Sequence, residues 1–122
     1  MSSEHPAILV FNAKRNLIRI HRQTLHMLND PAYIQILVNP QDKIIALRPG
    51  NPNITKSERV NWNRINRNHS FEMYSASLSF QLLHLLPEPD NICSIRLKGT
   101  HYKKDNLVAF RIGDAQITTE RE

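Results

Sequence analysis

Apolar and polar residues alternate along two long stretches of the chain, and in each the pattern changes in the same order. The first stretch runs from Leu17 to Arg48. Ile18-Arg19-Ile20 is apolar–polar–apolar, as a half-buried strand requires. Leu25 and Leu28 then give a single apolar edge of a short helix. Asn29-Asp30-Pro31 ends it, because the residue before a proline is pushed out of the helical region. Tyr33–Val38 alternates again, Asn39-Pro40-Gln41-Asp42 supplies the residues of a tight turn, and Lys43–Arg48 returns. The second stretch runs from Phe71 to Arg111. Phe71–Tyr74 reads as a strand and Ser75 as the N-cap of a helix, its hydroxyl accepting from a free backbone N–H. Leu78, Leu82 and Leu85, with Phe80 and Leu86, make this helix more apolar than the first. Pro87 and Pro89 stop it. Ile92–Lys98 is a strand, Gly99–Asn106 a longer basic turn, and Leu107–Ile112 the last strand.

The two stretches read as a repeat, a possibility to be tested before finer detail. Ile18-Arg19-Ile20 falls on Phe71-Glu72-Met73, and Thr24-Leu25 on Ser77-Leu78. Ile34, Ile36 and Val38 fall on Cys93, Ile95 and Leu97, and Ile45-Ala46-Leu47-Arg48 on Val108-Ala109-Phe110-Arg111. Ahead of the first stretch, Ala7–Phe11 is a short apolar run that reads as a buried strand. Asn12–Asn16 joins it to Leu17–Ile20 as a hairpin with a basic tip. The expected organisation is one domain over 1–122, with repeat one at 7–48, a linker or long exposed loop at 49–69, repeat two at 70–112 and a polar tail at 113–122. The expected fold is mainly β of the α+β class: a small β-barrel built from two β-α-β-β repeats. Segment 49–69 earns the name of loop by composition. It holds Pro49, Gly50, Pro52 and asparagines at 51, 53, 61, 63, 66 and 68, with few apolar residues.

Composition narrows the class. A chain of 122 residues with 40% hydrophobic and 22% charged residues fits a single globular core. It holds no run of about 18 apolar residues, so no membrane-spanning helix is expected. The opening MSSEHPAILVF lacks a basic region before its apolar run and does not read as a signal peptide. The lone cysteine, Cys93, cannot form an internal disulfide and reads as a small buried hydrophobe. A cytoplasmic location is the default expectation. The formal charge of +5 permits attraction to nucleic acid without requiring it.

Residues Ala7 to Arg48 resemble the AbrB-like, swapped-hairpin DNA-binding domains. Ala7-Ile8-Leu9-Val10-Phe11 stands for the family's opening strand, and Asn12–Asn16 for its turn, with Lys14 and Arg15 as the basic pair. Leu17-Ile18-Arg19-Ile20 stands for the second strand, Leu25 and Leu28 for the helix, and Ile44-Ile45-Ala46-Leu47-Arg48 for the closing strand. The family's turn glycine is absent, His21 stands where it has a proline, and Asp30-Pro31-Ala32 replaces its Gly-Asp pair. The resemblance implies a barrel that two chains interlock to form, and DNA read by arginines around the opening strands. A duplicated chain would form such a barrel alone, as a monomer with pseudo-two-fold symmetry, or would pair as a homodimer.

Two functions follow as expectations. In the first, the chain is a bacterial or phage DNA-binding transcriptional regulator of AbrB-like type. Lys14, Arg15, Arg19 and Arg22 would dock electrostatically, with Arg64 and Arg67 of the 49–69 segment adding contacts. Arginine serves both phosphate contacts and bidentate contacts to guanine. In the second, it is a small phage or mobile-element protein that binds and inhibits a host protein. Trp62, the single tryptophan, then becomes a protein-interaction candidate. Trp62 also reads as an anchor for the 49–69 segment or a platform for a base. A contiguous basic face would favour the first function, and an apolar patch around Trp62 the second. No enzyme is expected. The histidines form no HExxH pattern and have no cysteine partner, and there is no glycine-rich phosphate loop, so neither a metal, a cofactor nor a catalytic residue is assigned.

Overall fold

Leu9 and Phe11 of the first strand, β1 (Ala7–Asn12), lie opposite Ile20 and Ile18 of β2 (Leu17–His21), and all four side chains are buried. The alternation therefore places one face of this hairpin inward and leaves Val10 and Arg19 on the other face. The same rule builds the rest of the chain in a computed structural model, which describes residues 6–119. Residues 1–5 and 120–122, read above as parts of polar tails, lie outside the described residues.

After β2 come a short helix, α1 (Arg22–Met27), and a hairpin of β3 (Tyr33–Asn39) and β4 (Ile44–Pro49). A three-residue strand, β5 (Ser57–Arg59), and a helix, α2 (Trp62–Asn68), lead to β6 (Ser70–Tyr74) and α3 (Ala76–Leu83). The long β7 (Ile92–Tyr102) and β8 (Leu107–Arg111) form a second hairpin. A 3-10 turn at Ile112–Asp114 and β9 (Gln116–Thr119) close the described chain. The nine strands form one sheet in the order β5-β3-β4-β8-β7-β1-β2-β6, and β9 shares with β8 one edge of β7. Every pairing is antiparallel, and the sheet curls into a half-barrel. Its concave side holds the core, with Phe11, Ile18, Ile20, Ile34, Ile45, Leu47, Val108 and Phe110 fully buried. The fold is mainly β with few helices, as the alternation predicts.

The ladders place particular residues opposite one another. β2 pairs with β6 so that Arg19 faces Glu72, and β4 pairs with β8 so that Ala46 faces Ala109. These are residues at the same position in the two similar stretches. The two hairpins share a register as well. Ile34 pairs with Pro49 and Ile36 with Leu47 in the first, and Gly99 pairs with Phe110 and His101 with Val108 in the second. By that register the counterparts of Ile34, Ile36 and Val38 are Leu97, Gly99 and His101, not Cys93, Ile95 and Leu97. Alternation has a period of two, so a slide from Cys93 to Leu97 leaves the pattern unchanged.

With only three glycines in the chain, left-handed turn positions fall to other residues, and asparagine holds half of the eight among the described residues. Asn16, Asn29, Asn91 and Asn106 all have positive φ, a conformation that asparagine tolerates better than most residues. Ser75 caps α3 as expected, accepting from the Leu78 N–H at 3.1 Å. Thr24 of α1 is fully buried, and its Oγ1 accepts from the Ile8 N–H at 2.9 Å and donates to the Ile8 carbonyl at 3.4 Å. One hydroxyl thus fixes the start of β1 to the helix.

Gly99–Tyr102, read as part of a turn, extend β7, and two further segments differ from their expected form. The 49–69 segment is not an exposed loop, since it carries β5 and α2 and buries Val60 and Ile65. Asn61 caps α2 by accepting from the Arg64 N–H, and His69 ends it in a left-handed conformation. The beginning of the expected polar tail, Gln116–Thr119, is β9, whose exposed side chains hide a backbone ladder with β7.

Candidate nucleic-acid interface

The outward side chains of β6, β2, β1 and β7 form a row. Glu72 faces Arg19, Arg19 faces Val10, and Val10 faces Arg96. With about 4.8 Å between neighbouring strands, the backbones at Arg19 and Arg96 stand about 10 Å apart. That separation is comparable to the Debye length at physiological salt, so their fields overlap. Lys98 continues the outward face of β7 beyond Arg96, since side chains two apart share a face. Arg111, outward on β8, lines one shallow cavity with Lys98. Arg96, Lys98 and Arg111 are all exposed. Cations from β2, β7 and β8 therefore occupy one continuous convex surface.

His21 reports this field. Its imidazole is held below the ordinary histidine range, first by burial, then by the positive charges of Arg96 and Arg19. Both arginines thus act on the same ring, although they are far apart in sequence.

The residues singled out from sequence are distributed around this surface. Arg19 points away from the core, as alternation requires, but its charge is engaged. Its Nε donates to Glu72 Oε2 at 2.7 Å and its Nη2 lies 2.6 Å from the same oxygen, with the two side chains 43% and 24% exposed. Arg15, at the tip of the first hairpin, donates from Nη2 to the Tyr74 hydroxyl at 2.9 Å and lies 5.8 Å from that ring's centre. Lys14 is exposed beside it. Arg22, half-buried at the start of α1, is tied by its backbone N–H to the His69 carbonyl at 3.0 Å. Arg64 and Arg67 are exposed on α2, where Arg64 shares a cavity with Glu72. The sequence reading missed Arg96, Lys98 and Arg111. Each lies in a strand beside a buried apolar neighbour, and that alternation was the available signal that they face outward.

Trp62 belongs to the packing. Its indole N–H donates to the Pro31 carbonyl at 2.9 Å, its ring stacks with His26 at 5.8 Å between centres, and it packs against the core. His26 is itself held by Asp30. Half-buried and hydrogen-bonded, Trp62 pins α2 to the loop that follows α1. Among the described residues no group of three or more His, Cys, Asp or Glu side chains is placed to hold a metal ion. No helix among them is long and apolar enough to cross a membrane. Comparison of the chain with protein-family models, with curated proteins and with solved structures finds no match.

Proposed function

We propose that the chain is a non-enzymatic DNA-binding regulator, AbrB-like in its half-unit and duplicated within one polypeptide. The observation that carries this reading is the convex surface on which Arg96, Lys98 and Arg111 lie together, with Lys14 and Arg15 at the adjoining hairpin tip. Such a surface meets the phosphate backbone through many weak, salt-sensitive contacts. The duplication draws support from the sheet. Two of the pairings between the halves, β2 with β6 and β4 with β8, join equivalent residues. That is the arrangement a two-fold axis would produce, and it makes one chain do the work of two, so a monomer in solution is expected.

The reading moves the binding surface relative to its sequence-based form. Arg19 is neutralised by Glu72, and Arg15 is engaged with Tyr74, so the cations of β7 and β8 contribute the larger share. The test is fluorescence anisotropy of random duplex DNA with wild type and with an Arg15→Gln/Arg96→Gln double variant, both checked for folding. Loss of two phosphate contacts lowers affinity at about 50 mM salt by at least tenfold on this reading. Equal affinities would remove the surface from consideration.

A second reading, a small phage or mobile-element protein that inhibits a host protein, draws on another observation. Tyr74 is 61% exposed and Phe80 63% exposed. Folded protein that binds no DNA at low salt, but loses a captured host protein on Phe80→Ala, would favour it.

A further inference from the structure

The outward faces of the two hairpins differ at one position that the shared register makes equivalent. In the first hairpin Gln35 lies opposite Arg48, and the Arg48 Nε donates to Gln35 Oε1 at 2.9 Å. In the second hairpin the ladder ends at Gly99 and Phe110, and Lys98 and Arg111 are the next residues beyond it on the two strands. A satisfied arginine in one half therefore corresponds to two cations side by side in the other. Like charges directly opposite on neighbouring strands destabilise a sheet. Neither residue forms an ion pair with an acid among the described residues. The two line an open cavity of about 210 Å³ with Thr100, Tyr102 and Asp114, together with Ile44 and Ala109. Two hydroxyl-bearing side chains and two cations lining one open cavity suit a tetrahedral anion, because charge-assisted hydrogen bonds to phosphate oxygens are the strong ones. Asp114 limits this to a single phosphate of modest affinity.

We propose that Lys98 and Arg111, with the hydroxyls of Thr100 and Tyr102, form a phosphate-binding subsite. On the DNA-binding reading, on which this assignment of source rests, the phosphate belongs to the DNA backbone. The subsite exists in the second half alone, so the two halves contribute unequally to binding.

The test uses the full chain and begins with inorganic phosphate. Amide resonances are followed as sodium phosphate is added, against sodium chloride at matched ionic strength. Saturable shifts in phosphate at Lys98, Thr100, Tyr102 and Arg111, absent in chloride, are expected. They should vanish in Lys98→Gln, which restores the glutamine–arginine pair of the first hairpin, and weaken in Arg111→Gln. Shifts equal in the two salts, or retained in both variants, would overturn the subsite. The salt dependence of duplex binding then identifies the source. Lys98→Gln should lower the slope of log K against log salt by about 0.9. An unchanged slope in a protein that binds DNA would overturn the assignment to the backbone. A wild type that takes phosphate but no DNA would leave the subsite standing for a free phosphate compound and remove the DNA-binding reading alone.

Discussion

Replacing Trp62 by alanine separates an anchor from a docking surface. An aromatic side chain of this size buries about 200 Å² when fully enclosed, and Trp62 is half-buried. Half that area at about 25 cal/mol per Å² is about 2.5 kcal/mol. The hydrogen bond from the indole N–H to the Pro31 carbonyl adds about 1 kcal/mol net. The carbonyl left behind can turn to water, so no further penalty accrues. Trp62→Ala should therefore cost about 3.5 kcal/mol. With an unfolding entropy of about 2.1 cal/mol/K per residue over 122 residues, that lowers Tm by about 14 °C. Trp62→Phe keeps most of the area and loses the N–H, so it should cost about 1 kcal/mol. Urea unfolding followed by far-ultraviolet circular dichroism measures both, since neither variant retains the tryptophan signal. A Trp62→Ala midpoint within error of wild type would refute the anchoring role and return Trp62 to the candidates for a partner surface.

Two further effects follow from buried polar groups. Thr24→Val keeps the shape of the side chain but strands the Ile8 N–H inside the protein. Denaturant unfolding should show a loss of about 2 kcal/mol, and a neutral result would mean water reaches that N–H. His21 has a folded pKa below its unfolded value, so below about pH 6.5 the unfolded chain binds more protons than the folded one. The stability contributed by neutral His21 is full above that pH and is lost as pH falls from there towards the folded pKa. A His21→Asn variant should show a flatter stability profile across this window, and a profile parallel to wild type would contradict the shift.

Much of the fold was legible because alternation is a local property. Leu9, Phe11, Ile18 and Ile20 announce their strands and their inward face, and Ser75 announces its helix. The 49–69 segment was misread because Val60 and Ile65 are isolated among asparagines, and no periodicity marks two apolar residues. Both nevertheless belong to the buried core. β9 was invisible for the opposite reason, since its ladder with β7 uses backbone groups and buries none of its side chains. The candidate surface was half legible. Lys14, Arg15, Arg19 and Arg22 cluster in sequence, whereas Arg96 becomes a neighbour of Arg19 only through the pairing of β1 with β7. That pairing joins segments some eighty residues apart, and no local pattern encodes it. The capture of Arg19 by Glu72 depends likewise on the β2–β6 register.

The salt dependence of duplex DNA binding by the wild-type chain tests the central claim most directly. Four to five cations meeting phosphates should give a slope of about −3.5 to −4.5 in log K against log salt. The mass from light scattering in the same buffers should be that of one chain. Absent or salt-independent binding by the folded protein at about 50 mM salt would contradict the account.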